Sequence, residues 1–154
     1  MAGTHEFQIT TRLSTDAGTV WDHASSPEGI ARELAPWMKM TFPAWARKLT
    51  PETVTPGKKL FRSWILLFGL LPVEFDDLTI MAIDPPRRFL ERSRMLSLSL
   101  WQHERIVEPD NHGCTVTDRL AFTPKIPGTG PLARTLVKLL FTHRHRRLKG
   151  IFGG

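Results

Sequence analysis

A chain of 154 residues with 41% hydrophobic side chains reads as one domain, 1–154, long enough to bury a core, and its single cysteine excludes an intramolecular disulfide. The formal net charge of +6 is concentrated at one end: eight bases (Arg119, Lys125, Arg134, Lys138, Arg144, Arg146, Arg147 and Lys149) and no acid follow Asp118. No stacking aromatics interleave these bases, so nucleic acid is not expected, and a solvated face or a complement to a helix C-terminus accounts for them. The first six residues lack a basic segment followed by an apolar one, so no secretory signal is expected. The longest apolar stretch, Trp64 to Val73, holds Gly69 and Pro72 and is about half the length of a membrane-spanning helix. A soluble, cytoplasmic protein is the expectation, with Cys114 as a small buried thiol near a turn.

In chain order, Phe7 to Leu13 alternates apolar and polar residues and predicts a strand. Ser14-Thr15-Asp16 offers N-caps for a short helix carrying Val20 and Trp21, and Ser26-Pro27-Glu28 opens a second that Pro36 ends. Trp37 to Trp45 is apolar but irregular and predicts no element. Strands are expected over Thr53–Leu67, after the turn Pro56-Gly57, then over Val73–Ile83, Arg87–Arg94 and Leu98–Val107. Gly69 and Pro72 disfavour a continuous strand, so Phe68 to Leu71 predicts a bend: either an exposed greasy lip at a cavity mouth, or core beneath a helix. A long helix runs from Gly128-Thr129-Gly130-Pro131 to about Phe152. This order describes an α+β domain in which a curved antiparallel sheet of about six or seven strands wraps a long C-terminal helix, with two short helices after the first strand.

The last two strands carry the most information. Trp101 to Val107 meets the turn formers Asp110-Asn111-His112-Gly113, and the chain resumes with Cys114, Val116, Asp118, Leu120 and Phe122 on one face. Pairing through this turn sets Arg105 opposite Asp118 and, on the other face, Glu104 opposite Arg119; a slip of one residue would oppose Glu104 or Ile106 to Asp118. The face of Trp101, Val107, Val116, Leu120 and Phe122 therefore points inward and takes His103, Arg105 and Asp118 with it.

The pattern resembles the helix-grip superfamily that includes START lipid-transfer domains, birch-pollen-type allergens and polyketide cyclases and dehydratases (the SRPBCC group). The matching residues are Val20-Trp21, Ser25-Ser26-Pro27-Glu28, Pro56-Gly57, Trp101-x-His103-x-Arg105 and Gly113-Cys114-x-Val116-x-Asp118-x-Leu120-x-Phe122-x-Pro124. The resemblance spans nearly the whole chain and implies a hydrophobic tunnel between sheet and long helix, whose occupant differs among members. The basic tail Thr142 to Arg147 departs from the pattern, and the absence of tyrosine removes any phenolic acid from cyclase chemistry.

Two functions follow as expectations. The first is binding or transport of a hydrophobic small molecule, with Trp101, Leu120, Phe122, Phe68 and Leu71 as apolar contacts, a polar head near His103, Arg105, Asp118 and Arg144, and peripheral membrane contact through the greasy bend. The second is a cyclase or dehydratase with His103 as general base, Asp118 orienting it and Arg105 stabilising an enolate oxygen. A purely structural Arg105–Asp118 pair with His103 as a wall residue is the alternative to both. No cofactor or metal is expected: His143 and His145 are two apart on a helix, Asp76 and Asp77 alternate faces, and Gly128-x-Gly130 lacks the rest of a dinucleotide fingerprint. Nothing in the chain sets an oligomeric state. On a helical wheel Arg144 falls amid Ala133, Leu136, Val137, Leu140, Leu148 and Ile151, with Lys138, His145 and Lys149 opposite. Arg144 is thus expected to reach between helix and sheet toward an acid such as Asp118 or Glu91, or toward an anionic head group.

Overall fold

The computed structural model describes residues 3–46 and 50–154. Its seven strands form one antiparallel sheet: β1 (His5–Leu13), β2 (Met38–Met40), β3 (Lys59–Leu67), β4 (Leu71–Asp84), β5 (Arg88–Met95), β6 (Leu98–Asp110) and β7 (Gly113–Pro124), in spatial order β1-β7-β6-β5-β4-β3-β2. Two short helices, α1 (Ala17–Ala24) and α2 (Pro27–Leu34), follow β1, and the long α3 (Gly130–Phe152) closes the chain. The architecture is the expected α+β helix grip.

The two short helices start where their cap chemistry dictates. The Asp16 carboxylate accepts from Thr19 N–H at 3.0 Å, and Ser26 Oγ accepts from Gly29 N–H at 3.0 Å with Pro27 in the first turn. Gly29 is required by packing: a Cβ there would lie 1.8 Å from the His23 carbonyl oxygen, so the two short helices meet at van der Waals contact only because this residue has no side chain. The C-terminus of α3 is tied to the end of β1, where Ser14 N–H donates to Gly153 O at 3.2 Å and Thr15 Oγ1 donates to Phe152 O at 2.8 Å.

The β6–β7 hairpin has the expected register, with Arg105 opposite Asp118 and Glu104 opposite Arg119. Asp110 pairs with Gly113, so the turn itself is only Asn111-His112, and Asp110 Oδ1 accepts from His112 N–H at 2.8 Å. A Cβ at Gly113 would lie 2.1 Å from Leu13 O, which fixes glycine where the hairpin crosses the end of β1.

Three differences from the sequence reading have simple causes. Met38–Met40 forms β2 against Leu67–Ile65; three residues are too few for a period to register. The strand expected from Thr53 begins only at Lys59, because Gly57 adopts φ 82° in a turn that donates its N–H to Ile80 O at 3.0 Å. The bend is also tighter than expected: Phe68 and Gly69 turn with φ 55° and 74°, and β4 resumes at Leu71.

The core has three parts. Leu13, Val20, Trp21, Val107, Cys114, Val116 and Leu148 pack at the α1 end, with Cys114 buried as expected. Met95, Leu98, Trp101, Leu120, Phe122, Val137 and Phe141 pack beneath the N-terminal half of α3. Ala46, Val54, Phe61, Leu78 and Ile80 pack on the far strands. Along β6 and β7 a band of buried polar groups separates the first cluster from the second.

Candidate functional site

That band draws on six elements. Alternation along β6 turns His103 and Arg105 inward between Trp101 and Val107, and alternation along β7 turns Asp118 inward between Val116 and Leu120. Arg105 Nε donates to Asp118 Oδ1 at 2.8 Å and its Nη2 to Oδ2 at 2.9 Å. The same guanidinium grips Glu33 of α2, Nη1 to Oε2 at 2.9 Å and Nη2 to Oε1 at 2.8 Å, so one arginine is bidentate to two carboxylates. Arg144 of α3 adds Nε to Glu33 Oε1 at 3.1 Å. His103 Nε2 and His145 Nε2 each lie 2.7 Å from an Asp118 oxygen, and His145 Nδ1 is 2.7 Å from Thr11 Oγ1 of β1. His23 Nε2 comes within 3.2 Å of Glu33 Oε2, off the line of a hydrogen bond.

Two guanidiniums thus balance two carboxylates in a space with almost no solvent: Glu33 and Asp118 are fully buried and Arg105 is 1% exposed. Burial by itself raises the Glu33 and Asp118 pKa values. The Arg105 charge, joined by Arg144 at Glu33 and by the histidine hydrogen bonds at Asp118, overcomes burial and holds both carboxyls well below the usual carboxylate range. For Arg105, burial lowers the pKa, and the charges of Asp118 and Glu33 more than restore it. Glu33, Asp118 and Arg105 each hold the others ionised.

Beside the band lies a pocket of about 410 Å³ between the second and third core clusters. Its wall is largely apolar, with Ile30, Leu34, Phe61, Ile80, Trp101 and Phe141 among the contributors. The polar groups that reach it include Glu74, Asp76, Glu91, His103 and Arg144. Glu74 braces the turn after β5, accepting from Ser97 N–H at 3.2 Å. Among the described residues no three His, Cys, Asp or Glu converge as a metal site would need.

The candidate residues therefore separate. Trp101, His103 and Arg144 line the pocket; Arg105, Asp118, Leu120 and Phe122 are buried behind its wall. Phe68 and Leu71 stand at the exposed hairpin tip, 60% and 59% exposed, with Phe68 against Trp37 at 6.0 Å between ring centroids, so the bend is exposed and not core, and neither residue lines the pocket. Arg144 does turn inward, stacked over Phe141 at 4.9 Å, but it pairs with Glu33 and not with a sheet acid. The wheel placed His145 on the outer face; it is 3% exposed, because α3 is clasped on two sides, by β1 and β7 and by α2, which buries a wider arc than one apolar stripe. Leu136, assigned to the buried arc, is instead 56% exposed where α3 passes the pocket.

The sequence matches the family described as "Domain of unknown function (DUF8410)" over residues 11–152. No curated protein matches it. Among solved structures, protein CV1439 from Chromobacterium violaceum is similar with a TM-score of 0.71 and 14% identity, over 97% of this chain and 99% of that one. A START superfamily protein from Mycobacterium smegmatis gives 0.67 and 12% identity, over 96% of this chain and 97% of that one. The Zhui aromatase/cyclase from Streptomyces sp. R1128 gives 0.67 and 11% identity, over 96% and 93%. At such identities the likeness is one of fold. With a seven-stranded sheet gripping a C-terminal helix, and a family match over most of its length, the chain belongs to the DUF8410 family and has the helix-grip fold of START-type proteins.

Proposed function

We propose that the protein binds a hydrophobic small molecule, lipid-like or polyketide-like, in the pocket between the sheet and α3, and carries or sequesters it. The observation that carries this reading is a largely apolar wall around about 410 Å³, within the range of small-molecule sites. Water in such a space finds few partners, whereas an apolar ligand gains roughly 25 cal/mol for each Å² it buries. The START protein and the aromatase/cyclase of like fold support the same reading. A flat aromatic fluorophore such as N-phenyl-1-naphthylamine should bind saturably, one per chain, and be displaced by long-chain apolar competitors. Absence of saturable binding would overturn the proposal.

Exposed apolar side chains support contact with a membrane surface as the route of loading. Phe68, Leu70 and Leu71 at the hairpin tip and Leu132 and Leu136 on α3 are exposed apolar side chains, with Arg134 and Lys138 on the same helix. Phe68→Ser with Leu71→Ser should slow probe transfer to vesicles containing anionic lipid while leaving the melting temperature within about 2 °C, since exposed positions contribute little to stability. Unchanged transfer rates would remove the membrane route.

A cyclase-type enzyme is the second reading, favoured by one observation: His103 lies on the pocket wall with Asp118 2.7 Å from its Nε2, a base with its orienting carboxylate. Arg105, engaged by two carboxylates behind the wall, is not available to an enolate oxygen. Turnover that vanishes in His103→Gln while probe binding persists would distinguish this reading from the carrier.

A further inference from the structure

The ionic band accounts for every inward-facing charge near it, but not for two acids elsewhere on the pocket wall. Asp76 of β4 and Glu91 of β5 are 3% and 6% exposed. Their burial follows from the pleat. The alternation that turns Leu78 and Ile80 inward on β4 turns Asp76 inward with them, while Asp77 faces out and pairs with Arg62 at 2.7 Å. On β5 the same parity groups Glu91 with Ser93 and Met95.

The pair is incompletely satisfied. Ser93 Oγ–H donates to Glu91 Oε2 at 2.7 Å and in turn accepts from Thr79 N–H at 3.1 Å. The Asp76 carboxyl meets Glu91 and Ser93, yet its Oδ1 is buried with no protein partner. Among the described residues neither acid joins an ion pair. Burial first, then the Glu91 charge, pushes the Asp76 carboxyl well above its ordinary range. No free cation faces them among the described residues: Glu74 on the same wall is an acid, His103, the cross-strand neighbour of Glu91, is engaged at Nε2 by Asp118, and Arg144 of α3 is engaged by Glu33.

A pair of buried acids on the wall of an apolar pocket, with no ion-pair partner among the described residues and one carboxyl oxygen left without a donor, defines what complements it. A hydroxyl would satisfy the acceptor but not the charge. A carboxylate would meet repulsion. An ammonium supplies donors and the compensating charge together. We propose that the Asp76–Glu91 pair anchors the polar end of the pocket's ligand, and that this ligand is a cationic amphiphile: an apolar chain or ring system bearing a protonated amine. The proposal rests on reading the pocket as a binding site, and it names the ligand's class.

The test is displacement of N-phenyl-1-naphthylamine at pH 7 by dodecylamine, dodecanol and dodecanoate, each below its micellar concentration. The amine should bind about 10-fold more tightly than the alcohol, and the acid most weakly, as a charge-assisted contact in a dry site requires. Nonspecific attraction to a chain of net charge +6 works in the opposite sense, favouring the acid. In Asp76→Asn and in Glu91→Gln the amine's advantage over the alcohol, both measured on the same variant, should shrink to within about 3-fold. An amine that binds no better than the alcohol to the unmodified protein, or an advantage that survives both substitutions, overturns the assignment. Failure of the probe itself to bind overturns the pocket reading, and the ligand class with it; probe binding without amine preference overturns the ligand class alone.

Discussion

Asp118→Ala and Glu33→Ala should each destabilise the protein by about 3 to 5 kcal/mol, because each strands a buried arginine that now makes half its charged contacts. For a domain of this size that is a fall of about 6 to 20 °C in melting temperature. The two substitutions act on the same guanidinium from opposite sides. Asp118 holds Arg105 within the sheet at 2.8 and 2.9 Å, and Glu33 holds it across to α2 at 2.9 and 2.8 Å. Asp118→Ala also takes the carboxylate partner from His103 and His145, and so loosens the contact of α3 with β7. Glu33→Ala unties Arg144 and loosens α2 from α3. The combined loss in the double variant should be less than the sum of the two, since both singles forfeit the same Arg105 contacts. Asp77→Ala is the internal comparison: its partners Arg62 and Lys59 are exposed, and a loss within about 1 kcal/mol is expected there. If Asp118→Ala cost no more than Asp77→Ala, the band would not be a structural element and its burial would need another explanation.

The hairpin between Trp101 and Phe122 was legible because two signals converge on it. Period-two alternation fixed which side chains point inward, and cross-strand charge fixed the register to the residue. Arg105 and Asp118 were therefore placed correctly, and so was the inward turn of Arg144. What stayed hidden was contributed by a partner distant in sequence. Glu33 sits on an eight-residue helix with only Ile30 and Leu34 as apolar guides, too short for a face to be assigned. Its one trace in the sequence is arithmetic: two inward arginines close to Asp118 leave a charge that a further carboxylate beside them must meet. His145 was misplaced for a related reason, since a wheel with one apolar stripe describes a helix with one neighbour, and α3 has several. Asp76 was discounted as a chelator because Asp77 faces the other way. That geometry was right, but it left unasked what a lone inward carboxylate does beside Leu78 and Ile80. The pocket itself has no local signature, because it is bounded by side chains from at least seven elements whose spacing is set by sheet curvature.

Arg105→Met should reverse the way stability depends on pH. In the unmodified protein the Glu33 and Asp118 carboxyls lie well below their unfolded values near 4, so between about pH 2 and 4 the unfolded chain binds more protons than the folded one. Their contribution is complete above about pH 5 and is lost as pH falls through the unfolded pKa toward the folded ones. Burial acts on both carboxyls in the upward direction and is the largest single influence on each; Arg105 is the foremost charge opposing it. With methionine in its place, burial prevails and the folded values rise above 4. The folded chain then binds more protons than the unfolded one, so stability falls as pH rises from about 4 to 7. The cost of Arg105→Met should be about 3 to 5 kcal/mol at pH 7 and should diminish toward pH 4, where protonation relieves the stranded carboxylates. Asp76, with its raised carboxyl, contributes a slope of its own, but it lies away from Arg105 and is common to both proteins, so it cancels to first order in the difference. Urea midpoints measured from pH 4 to 7 on the two proteins check this directly. Parallel profiles would show that Arg144 and the histidines alone hold Glu33 and Asp118 ionised, and that Arg105 is not the charge on which the band depends.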